Sequence, residues 1–141
     1  MSTGDRLLDI FQEETLERLD SLESGLLTLE KNTENGSHEL INSIFRDAHS
    51  VKAGSNLLKL RNIEELSHTL ENMLELIRST DLVPTELMIT ASLEAVDKLR
   101  GLAENIMESD SKSIRLQKMM LEVSLKRALA EEPEEFEESE D

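Results

Sequence analysis

The chain has no cysteine, tryptophan or tyrosine, only two prolines and five glycines, and no apolar run longer than three residues. Without cysteine there is neither a disulfide framework nor a thiolate metal site, and a reducing cytoplasmic setting is the expectation. A membrane-spanning helix needs about 20 apolar residues, so the short runs predict a soluble protein. The start, Met1 to Asp5, likewise has no basic stretch leading into an apolar one. Aromatic side chains are limited to three phenylalanines, and Leu, Ile, Met and Ala supply the rest of the apolar content, which favours an all-α fold without strands. Positive charge is scarce as well. With 15 bases against 31 acids the net charge is −16, which excludes a nucleic-acid backbone or an anionic membrane as the expected partner and leaves a basic or mixed protein surface.

The apolar residues that are present recur at helical spacing. From Asp5 to Lys31, Leu8, Phe11, Leu19, Leu22, Leu26 and Leu29 share one stripe, and the polar run 32–37 ends that helix. A second helix, with Ser37 as its N-cap, turns Ile41, Ile44, Ala48, Val51 and Leu58 inward. Asn62 and Glu65 have the spacing of an N-cap and its N3 acid at the start of a third, which carries Ile63, Leu66, Leu70, Met73 and Ile77. Pro84 suits the first turn of a fourth, with Met88, Ala91, Ala95, Leu99, Leu102 and Ile106 on one face. Four such helices with short connections predict an up-and-down antiparallel four-helix bundle. An additional C-terminal helix from Lys112 to Ala130, with Ile114, Leu116, Met119, Met120, Val123, Leu125 and Leu129, packs on its flank. The bundle domain therefore spans residues 1–130. In 131–141 eight of eleven residues are acidic, half of the net charge, and self-repulsion predicts a disordered tail or linker.

Candidate chemistry lies at the edges of the second and third stripes. His49 follows the core position Ala48, so its ring emerges at the bundle margin, with Phe45 one turn before it and Lys52 and Ala53 one turn after. On the third helix His68, Glu71 and Glu75 form a polar edge that meets His49 if the two helices are antiparallel neighbours. A neutral imidazole accepts a phosphoryl group when one ring nitrogen is free and the other donates its proton to a fixed acceptor; Glu71 suits that acceptor. An ammonium one turn away steadies a phosphoryl dianion, and Lys52 has that spacing. Ala53, Gly54 and Ser55 are small enough to let a partner reach the ring. A helical glycine costs up to about 1 kcal/mol, so Gly54 calls for a close approach of some other surface, or for a helix end near Asn56.

These residues carry a resemblance. Ala48-His-Ser-Val-Lys-Ala-Gly-Ser55 is similar to the phosphorylation motif of histidine phosphotransfer domains, and Ser67-His-Thr-Leu-Glu-Asn-Met-Leu74 resembles the facing helix in the chemotaxis-kinase (CheA-type) branch. The likeness runs from about Asp5 to Ile106. In that branch the phospho-accepting histidine is followed by Lys at +3, His at +19 and Glu at +22, which here are Lys52, His68 and Glu71. The sequence departs from the pattern at Ala53, Asn56 and Lys59, where glycine is common, and these departures bear on partner choice. The resemblance implies phosphoryl transfer through His49, from the ATP-binding domain of a histidine kinase to the aspartate of a response-regulator receiver domain. ATP and Mg²⁺ belong to those partner domains and no cofactor to this chain. It further implies that the chain is one piece of a larger kinase.

Other readings are weaker. A free-standing relay protein fits the same motif, and a helical adaptor with a vestigial site differs only in never gaining phosphate on His49. Glu65-Leu-Ser-His68 matches one Glu-x-x-His element of a di-iron bundle, but such a site needs a second element and two further glutamates. His38 has no supporting partner and is expected to face water. Kinase activity in this chain alone is excluded, because its glycines form no nucleotide-cradling loop. Removal of residues 131–141 is expected to leave helicity and melting temperature nearly unchanged, since a solvated like-charge run buries nothing; a fall of more than a few degrees in a thermal melt would show that the segment docks.

Overall fold

The computed structural model describes the backbone of residues 3–31 and 38–140 and the side chains of 6–31 and 38–130. Five α-helices follow one another, α1 (Thr3–Lys31), α2 (His38–Leu57), α3 (Arg61–Thr80), α4 (Glu86–Glu104) and α5 (Arg115–Glu140), with a 3₁₀ helix (Ile106–Ser111) between the last two. No strand occurs among the described residues. Helix α1 packs on α2 and α4, and α3 packs on the same two, so the first four close a bundle; α5 lies on the flank made by α3 and α4. The expected stripes form the core: Leu19, Leu22, Leu26 and Leu29 of α1 meet Ile44, Ala48 and Val51 of α2, Ile63, Leu66, Leu70 and Met73 of α3, and Met88, Ala95 and Leu99 of α4. Leu8 and Leu58 pack against it only partly buried.

Two close approaches set the spacing of α1 and α2. A Cβ built on Gly25 of α1 would stand 2.3 Å from Ile44 Cγ2, and one on Gly54 of α2 would stand 2.9 Å from Phe11 Cε1. Each helix thus gives up a side chain where the other pushes one in. The surface that Gly54 accommodates is Phe11 of its own bundle, and α2 continues through Asn56 to Leu57.

Several helix ends differ from the sequence expectation, each for a tertiary reason. Asn62 does not cap α3. The cap position is Leu60, without a side-chain cap, and the first amides are satisfied from far along the chain: Arg61 N–H and Asn62 N–H donate to the Asp110 carboxylate at 3.3 and 2.9 Å. The Asn62 amide donates outward to the carbonyls of Ser109 and Lys112, at 2.8 and 2.6 Å, while Glu65 pairs with Lys118 of α5 at 2.5 Å. Pro84 is not in the first turn of α4; it precedes Thr85, whose hydroxyl accepts from Met88 N–H at 3.1 Å as a true N-cap. Ile106 is buried, but in the 3₁₀ helix rather than on α4. Helix α5 starts at Arg115, since Lys112 is extended (φ −96°, ψ 147°), and the structure sets the register that the sequence leaves open. Ile114, Leu121 and Ala128 face the bundle and Met120 and Leu125 are partly covered, whereas Leu116, Met119, Val123 and Leu129 are exposed. The Ser37 cap and the acidic 131–141 tail lie outside the described side chains.

Helix α2 ends on a Schellman pattern, with Leu60 N–H donating to Ser55 O at 2.8 Å and Lys59 N–H to Asn56 O at 3.1 Å. Its left-handed residue is Lys59, with φ at 62°, which accounts for glycine being usual at that place in the resembling family. Lys59→Gly is expected to stabilise the bundle by about 0.5–1 kcal/mol, the left-handed penalty of a side chain less the entropy of a freer unfolded chain. Gly25→Ala is expected to cost about 1–3 kcal/mol, because the β-branched, buried Ile44 cannot swing aside. Urea melts of both variants check these signs, and a neutral Gly25→Ala would mean that α1 and α2 separate without cost.

Candidate functional site

Helices α2 and α3 run side by side in opposite directions, so the turn that follows Ala48 faces the middle of α3. Here the core stripe of α3 includes a charge. Glu71 lies among the buried Leu70, Met73 and Leu74, and its side chain is 9% exposed, so it is not the open edge position that the sequence predicts. His49 Nδ1 is 2.6 Å from Glu71 Oε2, and Lys52 Nζ is 2.8 Å from Glu71 Oε1. The Lys52 contact is a close ion pair with the second carboxylate oxygen. One carboxylate therefore ties two successive turns of α2 to α3.

The electrostatics follow from this arrangement. Burial by itself pushes the Glu71 carboxyl up, but contacts with Lys52 and His49 and the positive charge they bring outweigh it, and the net pKa falls below the ordinary 4.5. Glu71 is thus a carboxylate throughout the neutral range. A carboxylate can only accept, so a neutral His49 must donate from Nδ1, and the tautomer leaves the lone pair on Nε2. The imidazole is 54% exposed, and Nε2 has no hydrogen-bond partner among the described residues. The site is a basic nitrogen turned to water, with its opposite edge anchored to a buried anion.

Of the residues picked from the sequence, His49, Lys52 and Glu71 come together, and the other two do not join them. His68 is exposed on α3 and makes no hydrogen bond or ion pair among the described residues. Glu75 pairs with Arg78 at 2.5 Å instead of approaching the imidazole. Lys52 is engaged with Glu71 rather than open towards Nε2. Ala53 is exposed one turn beyond His49, as small-residue access requires, while Gly54 and Ser55 serve packing: Ser55 is buried and returns its hydroxyl to Val51 O at 2.8 Å. His38 faces water, 3.9 Å from the equally exposed Asp81. Glu65 and His68, the Glu-x-x-His pair, do not converge, and no group of three or more His, Asp or Glu side chains among the described residues is arranged to hold a metal ion.

Sequence reasoning missed two groups, one on the opposite face of α2 and one beside the site. Asp47 is buried beneath α1, 3.4 Å from Arg18 Nη1, with its second oxygen unpartnered; its place on the far side of α2 from Glu71 gave no periodic signal, because it occupies an apolar position. Arg78 Cζ lies 4.1 Å from the centre of the Phe45 ring, which stacks beside His49. The +7 offset of Arg78 from Glu71 on one helix face was the only available hint.

Comparison with known proteins places the fold. The family model described as Hpt domain matches residues 6–132. The chemotaxis protein CheA of Listeria monocytogenes is 34% identical over 100 residues, 71% of this chain and 16% of that protein, and CheA of Bacillus subtilis is 34% identical over 101 residues, 72% and 15% respectively. The chain thus spans about a sixth of the length of these relatives. Among solved structures, the CheA phosphotransferase domain from Thermotoga maritima superposes with a TM-score of 0.68 at 33% identity, covering 76% of this chain and 99% of that one. The phosphorylated P1 domain of CheA3 in complex with CheY6 from R. sphaeroides shares the fold with a TM-score of 0.76, at 22% identity and covering 88% and 98%. No helix among the described residues is long and apolar enough to cross a membrane. A helical bundle whose family model covers nearly all of the chain, and whose third-identical relatives are CheA proteins, belongs to the histidine phosphotransfer (Hpt) domain family, in its CheA branch.

Proposed function

We propose that His49 is the phospho-accepting residue of this domain and that Nε2 is its reacting atom. The observation that carries the reading is the 2.6 Å contact of Nδ1 with the buried Glu71 in a ring that is otherwise half exposed. In the first step the Nε2 lone pair attacks the γ-phosphorus of ATP held by a kinase catalytic domain. An N–P bond forms, the P–O bond to ADP breaks, and the ring carries the positive charge while Glu71 keeps the Nδ1 proton in place. In the second step a receiver-domain aspartate oxygen attacks the same phosphorus, the N–P bond breaks, and the ring returns to its neutral tautomer. Transfer of this kind depends on positioning and charge stabilisation more than on covalent help. Lys52, on a flexible stem one turn from His49, is the ammonium assigned to the phosphoryl oxygens, and His68 is kept as an exposed flank that a docked partner can meet.

Partners follow from the same reading: an ATP-binding histidine kinase domain as donor, with ATP and Mg²⁺ supplied by the partner domains, and a response-regulator receiver as acceptor. Support comes from the short share of each CheA relative that the chain spans and from the solved complex of a P1 domain with CheY6. The setting we assign is the cytoplasm, where such partners and ATP meet.

Incubation with the ATP-binding domain of a CheA relative and labelled ATP is expected to place acid-labile, base-stable phosphate on His49 alone. His49→Gln protein that still took up such label would refute the assignment, and the wild-type domain without a kinase is expected to stay unlabelled. Glu71→Ala is expected to slow labelling by about 10²-fold, the lower part of the range for an orienting or proton-holding group. Glu71→Gln should be milder, because its amide oxygen still accepts from Nδ1 but carries no charge. Both should fold, since loss of the buried carboxylate frees Lys52, already a quarter exposed, into water; circular dichroism and melts verify this. A Glu71→Ala domain phosphorylated at the wild-type rate would remove Glu71 from the mechanism.

A further inference from the structure

One hydrogen bond does not fix a ring. Glu71 holds Nδ1, but the terminal torsion of a histidine is broad and two-fold, so the imidazole plane remains free to tilt about that contact. The plane is constrained from another direction. Phe45, one turn earlier on α2, sets its ring beside the imidazole with centroids 6.0 Å apart and planes 16° from parallel. Phe45 is itself held from α3, where the Arg78 guanidinium carbon stands 4.1 Å from the ring centre, within the range of a cation–π contact. Arg78 in turn is tethered by Glu75 Oε1 at 2.5 Å, one turn before it. Glu75, Arg78 and Phe45 therefore form a chain of contacts that ends on the reacting ring, and it approaches from the N-terminal side of α2 whereas Lys52 lies on the C-terminal side.

Neither charged member is needed by the core. Their side chains are 46% and 37% exposed, and an exposed i,i+3 ion pair contributes little to stability. The guanidinium nevertheless lies on the face of the one ring that stacks beside His49 among the described residues. We propose that Arg78 is a positioning residue for phosphotransfer: by pinning the Phe45 ring it sets the plane of the His49 imidazole and so the direction in which the Nε2 lone pair points. The inference rests on His49 being the phosphoryl acceptor. Its physical basis is that transfer rates are sensitive to small misalignments of the attacking atom with the phosphorus.

The test uses the whole domain with three substitutions. Arg78→Gln removes the cation, Arg78→Lys keeps a cation without the planar head, and Phe45→Leu keeps apolar volume without the ring. In phosphorylation by a CheA ATP-binding domain, Arg78→Gln is expected to lower kcat about two- to five-fold, the weight of a half-exposed cation–π contact, with KM unchanged. Phe45→Leu should lose more, and Arg78→Lys should recover most of the rate. The melting temperature of Arg78→Gln should stay within about 3 °C of wild type. A second readout needs no kinase: the carbon-bound proton resonances of the His49 ring, placed beside the Phe45 ring in the wild type, should shift and broaden in Arg78→Gln and Phe45→Leu, while the ¹⁵N shifts keep the tautomer that Glu71 sets. Wild-type kcat together with unchanged ring resonances in Arg78→Gln would overturn the proposal, and so would a loss confined to KM, which would make Arg78 a docking residue. If the wild-type domain itself took no label on His49, the phosphotransfer reading would fall, while the ring resonances would still judge the stack.

Discussion

Glu71 places a carboxylate where the bundle admits almost no water, and an ion in that position has to be compensated by groups that reach it. The compensation comes from one neighbouring helix, through His49 Nδ1 and Lys52 Nζ. Three properties of the domain depend on this constraint. The register of α2 against α3 is set, because a shift of one residue would turn both partners away from the carboxylate. The tautomer of His49 is set, because the acceptor on Nδ1 is never protonated at neutral pH. The exposure of Nε2 is set, because anchoring one edge of the ring inward turns the other outward.

The remainder of the bundle serves to hold α2 at the distance and rotation that this contact requires. The paired glycines do so from the α1 side: Gly25 admits Ile44 and Gly54 admits Phe11, so α2 is gripped near both ends. From the α3 side, Asp110 at the end of the 3₁₀ helix satisfies the amides of Arg61 and Asn62, fixing where α3 begins and hence the height of Glu71 ten residues later. The salt bridge from Lys118 to Glu65 adds α5 to the same scaffold. A nitrogen on a rigid helix, rather than on a loop, suits the role proposed for it, in which two partners address the ring in turn without rearranging the domain.

What the site omits is informative as well. His68 and Glu75 share the polar edge of α3 with Glu71 in the sequence pattern, yet helical spacing says only that side chains share a face. Whether they meet a neighbour depends on how far each stands from the crossing of the two helices. Glu71 is at that crossing; Glu75 is a turn beyond it and finds Arg78, and His68 is turned to solvent.

The sequence by itself determined the class of fold and the four stripes that make the core, because apolar periodicity is a local property; it also named His49, Lys52, His68 and Glu71 as candidates, of which the contact between α2 and α3 joins His49, Lys52 and Glu71. The tertiary structure decided the rest. The caps of α3 came from Asp110, nearly fifty residues away, where no local pattern could announce it. The register of α5 was set by which of its two apolar faces met α3 and α4, and an evenly apolar helix carries no preference of its own. The burial of Glu71 and the stack of Arg78 on Phe45 beside His49 exist only once α2 and α3 are side by side. Their energies are those of desolvation and of contact between helices, and neither quantity is a property of a single segment.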